Sequence, residues 1–222
     1  MNILKSEDKV KEKIFEQLDW DDRVDANGIE VSFEDGLAKL GGSVSCYTSK
    51  YVAEEDVWDI NGVKEVKNQL KVICPLSESI PEDPEIKSIL NNLFYWNDSF
   101  DSSKIKISVK IGLVTLRGTV DALWKKTLSE EMASGVTGVI EIKNLLRVIP
   151  SENKDDKIIS RDILVAIERN YKTNADEIDI KVENGEVYLS GAVPDREAYL
   201  KVINIVRHTT GVKDLHDSLI IE

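Results

Sequence analysis

The sequence predicts an α+β protein of three tandem αββαβ repeats, each a small three-stranded mixed sheet covered on one face by two helices. Three observations carry that expectation. Glycines fall in three columns of three. Strands of alternating apolar and polar residues flank each glycine of the first column, and apolar stripes at helical spacing lie before and after each pair of strands. The first column is Gly36, Gly112 and Gly185, the second is Gly42, Gly118 and Gly191, six residues on, and the third is Gly62, Gly138 and Gly211, twenty residues beyond that. The copies are offset by 76 and then 73 residues.

Each copy opens with a helix whose apolar residues recur every four positions: Val10, Ile14 and Leu18, then Ile86, Leu90 and Phe94, then Ile159, Ile163 and Ile167. Asp83-Pro84 reads as an N-cap followed by proline at the first helical position. A first strand follows, with Ile29, Val31 and Phe33, or Ile105, Ile107 and Val109, or Ile178, Ile180 and Val182, on one face. The pair Asn184-Gly185 is the strongest short-range signal for a hairpin turn. The second strand carries Ala38 and Leu40, Val114 and Leu116, and Val187 and Leu189, and ends at Val44, Val120 and Val193.

A second helix fills the interval to the third glycine column, most clearly through Tyr199, Val202, Ile203 and Val206, with Ser45 and Asp121 reading as caps of two of these helices. The third strand then shows Val66, Leu70 and Val72, matched by Ile142, Leu146 and Val148 and by Leu215, Leu219 and Ile221. One helix brings the chain back between the second and third strands, so these two run in the same direction. The repeats span residues 1–74, 83–150 and 155–222, joined by the proline-bearing, charged linkers Cys74–Glu82 and Pro150–Asp155.

The core Val182-x-x-Gly185-x-Val187-x-Leu189-x-Gly191-x-Val193 and the tail Gly211-Val212-x-x-Leu215-x-x-x-Leu219, with equivalents in the other copies, resemble the BON domain, named for bacterial OsmY and nodulation proteins. The resemblance covers nearly the whole chain as three tandem units. It implies a non-enzymatic bacterial module linked with osmotic or envelope stress that binds a phospholipid surface, a hydrophobic ligand or partner proteins. The shared residues are glycines and apolar positions, which serve turns and core, so the signature is one of folding rather than of a site.

The remaining sequence bounds function by exclusion. A net charge of -12 argues against nucleic acid, which requires clustered lysine and arginine. The N-terminus lacks the basic and apolar regions of a secretory signal, giving the expectation of a cytoplasmic protein, or of a periplasmic one if the N-terminus is truncated. Catalytic motifs of the GxSxG, Walker or HExxH type are absent, and no cofactor is expected.

Metal chemistry is not expected either. His208 and His216, the only histidines, have no cysteine or acidic cluster beside them and read as surface residues. Asp19 to Glu30 spaces carboxylates as a calcium loop does, but Arg23 takes a ligand position and Val24 replaces the turn glycine, so a solvated turn is expected. Glu54-Glu55 and Glu130-Glu131 read as exposed helix faces. Cys46 and Cys74 fall at one end of the sheet, and the expected compartment makes free thiols the default.

Charge differs among the copies. Residues 1–75 carry net -6, residues 76–150 net -1 and residues 151–222 net -5. Only the middle copy can approach an anionic lipid surface without strong repulsion. Within it Trp124, Lys125 and Lys126 join an interfacial aromatic to two cations, the candidate membrane or ligand surface, with a core position for Trp124 as the competing reading. Trp20 and Trp96 are equivalent residues at the ends of first helices and are candidates for partner docking, against the competing reading that they seal the core edge.

Overall fold

Alternation at period two and stripes at spacing four resolve into the expected elements in all three copies, except that the third strand of the first repeat is interrupted at Gln69 and Leu70 and forms two short strands. The computed structural model describes residues 2–74, 80–170 and 177–221, so part of the first linker lies outside the described residues. The first repeat comprises α1 (Asn2–Trp20), β1 (Ile29–Glu34), β2 (Leu37–Val44), α2 (Tyr47–Trp58), β3 (Glu65–Asn68) and β4 (Lys71–Val72). The second comprises α3 (Asp83–Trp96), β5 (Ile105–Lys110), β6 (Leu113–Val120), α4 (Leu123–Ser134) and β7 (Glu141–Val148). The third comprises α5 (Asp156–Asn170), β8 (Ile178–Glu183), β9 (Glu186–Val193), α6 (Arg196–His208) and β10 (Asp214–Ile221).

The sheet orders are β1-β2-β3 with β4 also on β2, then β5-β6-β7, then β8-β9-β10. The hairpin strand β2 pairs antiparallel with β1 and parallel with β3 and β4, as β9 does with β8 and β10. The second strand of each repeat is therefore central, a placement that apolar periodicity alone leaves open. Cys46 and Cys74 follow neighbouring strands, and neither is in a disulfide.

Two compact units divide these elements. One holds Met1–Leu90, Ser108–Val114 and Ala133–Lys143, and the other Asn91–Ile107, Thr115–Met132 and Asn144–Glu222. In the first unit Ile14 and Leu18 of α1, Leu40 and Val44 of β2, and Val52 and Val57 of α2 form one buried cluster, so both helices cover the same sheet face. In the second unit Val187, Leu189 and Val193 of β9 are buried, as are Ile163 and Ile167 of α5 and Val202 and Val206 of α6.

The second glycine column has a steric cause. A Cβ on Gly42, Gly118 or Gly191 would lie 2.2, 1.9 or 2.0 Å from the carbonyl oxygen of Gly28, Lys104 or Glu177, a separation no side chain tolerates. At the hairpin turns Asp35, Ile111 and Asn184 adopt φ of 49, 51 and 55°, each followed by a first-column glycine.

A carboxylate from the first helix clamps every turn. Glu7 accepts from the Asp35 N–H at 3.3 Å. Asp83 accepts from Ile111 and Gly112 at 2.7 and 2.9 Å, and Asp156 from Asn184 and Gly185 at 2.7 and 2.8 Å. The role of Asp83 is therefore to hold the turn 28 residues on, while the Glu82 carbonyl takes the first helical N–H groups of Glu85 and Ile86.

The second-helix caps also shift by one residue. Cys46, not Ser45, caps α2 by accepting from the Ser49 N–H at 3.4 Å, and Asp195 caps α6 by accepting from Ala198 at 2.7 Å. The matching place before α4 is Ala122, whose carbonyl accepts from Lys125. Asp121 stands one position too early to cap.

Candidate binding surface

α4 begins one residue before Trp124, which places Trp124, Lys125 and Lys126 in its first turn. All three are half-buried. Trp124 stacks on His208 with ring centroids 6.1 Å apart and planes 7° apart. The Lys125 ammonium lies 2.7 Å from the Asp121 carboxylate and 5.5 Å from the Trp124 ring centroid. The Lys126 carbonyl accepts from Asn144 at 2.7 Å. The cluster expected from sequence is thus brought together, but the charge of Lys125 is balanced on the spot.

Cations without that balance lie on the strands of the same repeat. Lys106 on β5, Arg117 on central β6 and Arg147 on β7 are exposed, alternating with the buried Ile105, Ile107, Leu116, Leu146 and Val148. None of the three makes an ion pair among the described residues. Beside them in sequence, Leu145 and Ile149 are 50% and 57% exposed. Sequence reasoning missed these residues. The signal was present in every second position of the strands, the positions that a search for core columns discards.

Trp20 and Trp96 are 79% and 78% exposed, so neither seals a core edge. Tyr95, also exposed, meets Trp96 edge to face with centroids 5.2 Å apart.

The acidic features serve structure. Asp21 is bound by Arg23, whose guanidinium lies 2.5 Å away and holds the Asp21 carboxyl below its usual range. Asp25 accepts from the Asn27 N–H at 3.1 Å, capping a short 3-10 turn at Ala26–Gly28. Glu54 and Glu130 are not simply solvated, because each accepts from an asparagine on the third strand, Asn68 at 3.1 Å and Asn144 at 3.4 Å. His208 contacts the Asn204 carbonyl at 2.8 Å, and His216 stacks on Tyr188 with centroids 4.6 Å apart. Tyr199 donates to Asp217 at 2.5 Å; burial and that acceptor push its hydroxyl up to about 12.

Two open recesses lie among the described residues. One of about 720 Å³ lies against α1 and β1, where Phe15 and Val31 are surrounded by Asp8, Glu12, Glu16 and Glu30 with Lys11 as the one cation, a net acidic lining that disfavours anions. The other, about 300 Å³, includes Lys104, Thr119, Lys125 and Ile149, and its two lysines are paired with Asp101 and Asp121.

The BON-domain family model matches three times, over residues 6–74, 82–150 and 155–222. Among solved structures, the chain is similar to CdsD, a structural protein of the Type III secretion system of Chlamydia trachomatis, at 14% identity over 95% of this chain and 91% of that one, with a TM-score of 0.27. It is similar to the C-terminal domain of CdsD at 12% identity over 95% and 96%, again with a TM-score of 0.27. Comparison with curated proteins gives no match.

Proposed function

The chain belongs to the BON-domain family, and from that premise we propose that it is a non-enzymatic bacterial binding module whose middle repeat attaches to an anionic phospholipid surface. The observation that carries this reading is the set of exposed cations Lys106, Arg117 and Arg147, which make no ion pair among the described residues, accompanied by the exposed apolar Leu145 and Ile149. Cations near a headgroup surface contribute about 1 kcal/mol each, and apolar side chains add burial at the boundary. At the same strand positions the first repeat carries Glu30, Gly41 and Lys71, and the third carries Asp179, Ser190 and Ile220, so neither repeats the pattern. The stress-related role and the cytoplasmic location are part of this proposal. In that compartment the surface is the anionic inner leaflet.

The test is partition onto vesicles of phosphatidylglycerol and phosphatidylcholine in equal parts. Replacing Lys106, Arg117 and Arg147 together by glutamate should weaken binding at least about a hundredfold. High salt should weaken the wild type in the same direction. Unchanged partition by the triple variant defeats the site assignment.

A protein-interaction scaffold is the second reading, favoured by the exposure of Trp20 and Trp96. Under it, Trp20→Ala with Trp96→Ala abolishes recovery of a reproducible partner while vesicle binding is unchanged.

A further inference from the structure

The turn between β5 and β6 departs from its two sisters in chemistry while sharing their backbone. Ile111 occupies the left-handed position, φ 51°, that Asp35 and Asn184 hold in the other repeats. Aspartate and asparagine tolerate this conformation; a β-branched side chain is strained in it. Ile111 is also 76% exposed, so core packing does not offset the strain.

The residue lying against the turn has changed with it. A Cβ on Gly36 or Gly185 would meet the side chain of Lys64 or Lys213 at 3.2 Å, and the Lys213 ammonium reaches the Asn184 carbonyl at 2.7 Å. In the middle repeat the corresponding neighbour is Ile140, 3.0 Å from a Cβ on Gly112. Two polar positions of the sister tips are therefore both isoleucine here. Lys110, exposed and without an ion pair among the described residues, directly precedes Ile111. The facing carboxylate, Asp83, is committed to the two N–H groups of the turn.

We propose that this tip is a membrane wedge, in which Ile111 and Ile140 enter the acyl boundary of an anionic bilayer while Lys110 meets its phosphates. The inference rests on the phospholipid reading above and adds to it the point of insertion. A bilayer is the fitting occupant because the exposed Ile111 and the half-buried Ile140 beside it call for apolar depth rather than a shaped socket, and the exposed Lys110 next to them belongs at headgroup level.

The full chain, Ile111→Asn and Ile140→Ser are compared by cosedimentation with the phosphatidylglycerol–phosphatidylcholine vesicles and by thermal unfolding. Ile111→Asn restores a sister-tip residue, so its Tm should rise by about 2–4 °C while the vesicle-bound fraction falls several-fold. Ile140→Ser, which removes the apolar side chain without changing the charge, should show the same loss of binding. The opposite signs of the two readouts separate a wedge from a structural isoleucine. A lower Tm for Ile111→Asn overturns the wedge. Undiminished binding by both variants, with the wild type bound, overturns it while leaving the phospholipid reading standing. A wild type that binds no vesicles overturns both.

Discussion

One position of the second helix carries different chemistry in the first repeat and in the middle repeat, although both are built on the same order of elements. In the first repeat Gln17 of α1 donates to Asp56 of α2 at 3.1 Å, and the other Asp56 oxygen is buried without a partner. Burial pushes the Asp56 carboxyl up, against the pull of Gln17. In the middle repeat the place of Asp56 is taken by Met132, whose sulfur accepts from Asn97 at 3.4 Å; in the third it is taken by Ile205. A carboxylate, a thioether and an aliphatic side chain thus occupy one position of one fold. The difference teaches that the fold is held by the constant columns and tolerates wide variation at positions between them, which leaves those positions open to other uses.

The sharpest way to break that comparison is to disturb a constant column. Gly118→Ala would set a methyl group 1.9 Å from the Lys104 carbonyl oxygen, at a φ of 129°. The strand must move or the repeat must open, at a cost of roughly 3–5 kcal/mol. Denaturant unfolding measures it, and a loss below about 1 kcal/mol would mean that this column is not structural.

A smaller effect of opposite sign is expected at the variable position. Asp56→Met transplants the middle-repeat residue and removes a buried charge, so at neutral pH it should stabilise the chain by about 1–2 kcal/mol. The sign follows from linkage. A carboxyl whose folded pKa is raised leaves no penalty below its unfolded value, and the penalty grows as pH rises through the folded value. The gain from Asp56→Met should therefore shrink toward zero on acidification, which thermal unfolding at several pH values checks. A gain independent of pH would assign the effect to packing instead.

The smallest effect sharpens the role of the turn clamp. Backbone N–H groups of Gly112 and Ile111 hold the Asp83 carboxyl below its usual value. A lowered folded pKa contributes stability that is present above the unfolded value and is lost as pH falls through the folded one. Asp83→Asn should lower Tm modestly at neutral pH, with the difference from wild type vanishing at acid pH. Equal Tm values at neutral pH would show that the turn holds without its clamp.

Much of this architecture is legible in the chain. Apolar periodicity and the glycine columns specify helix, strand, turn and repeat, because burial and left-handed turns leave direct marks on residue type. The clamps are less legible, since Asp83 and Asp156 act on turns 28 residues away while a local reading makes Asp83 a helix cap. The cap at Cys46 escaped because a thiol substitutes for the expected hydroxyl one residue earlier.

The candidate binding residues divide in the same way. The aromatic-basic run at Trp124 is visible in sequence, whereas its partners Asp121 and His208 matter only once packed against it. Lys106, Arg117 and Arg147 are scattered along the chain and become a pattern only as outward positions of strands in one sheet.

The sequence by itself determined the repeat, the elements and the core, because hydrophobic burial and backbone sterics act through residue type and spacing. Only the tertiary structure decided the central place of the second strand, which cations go unpaired, and that Ile111 is both strained and exposed. Those depend on which distant groups meet, and pairing across space leaves no fixed period in the chain.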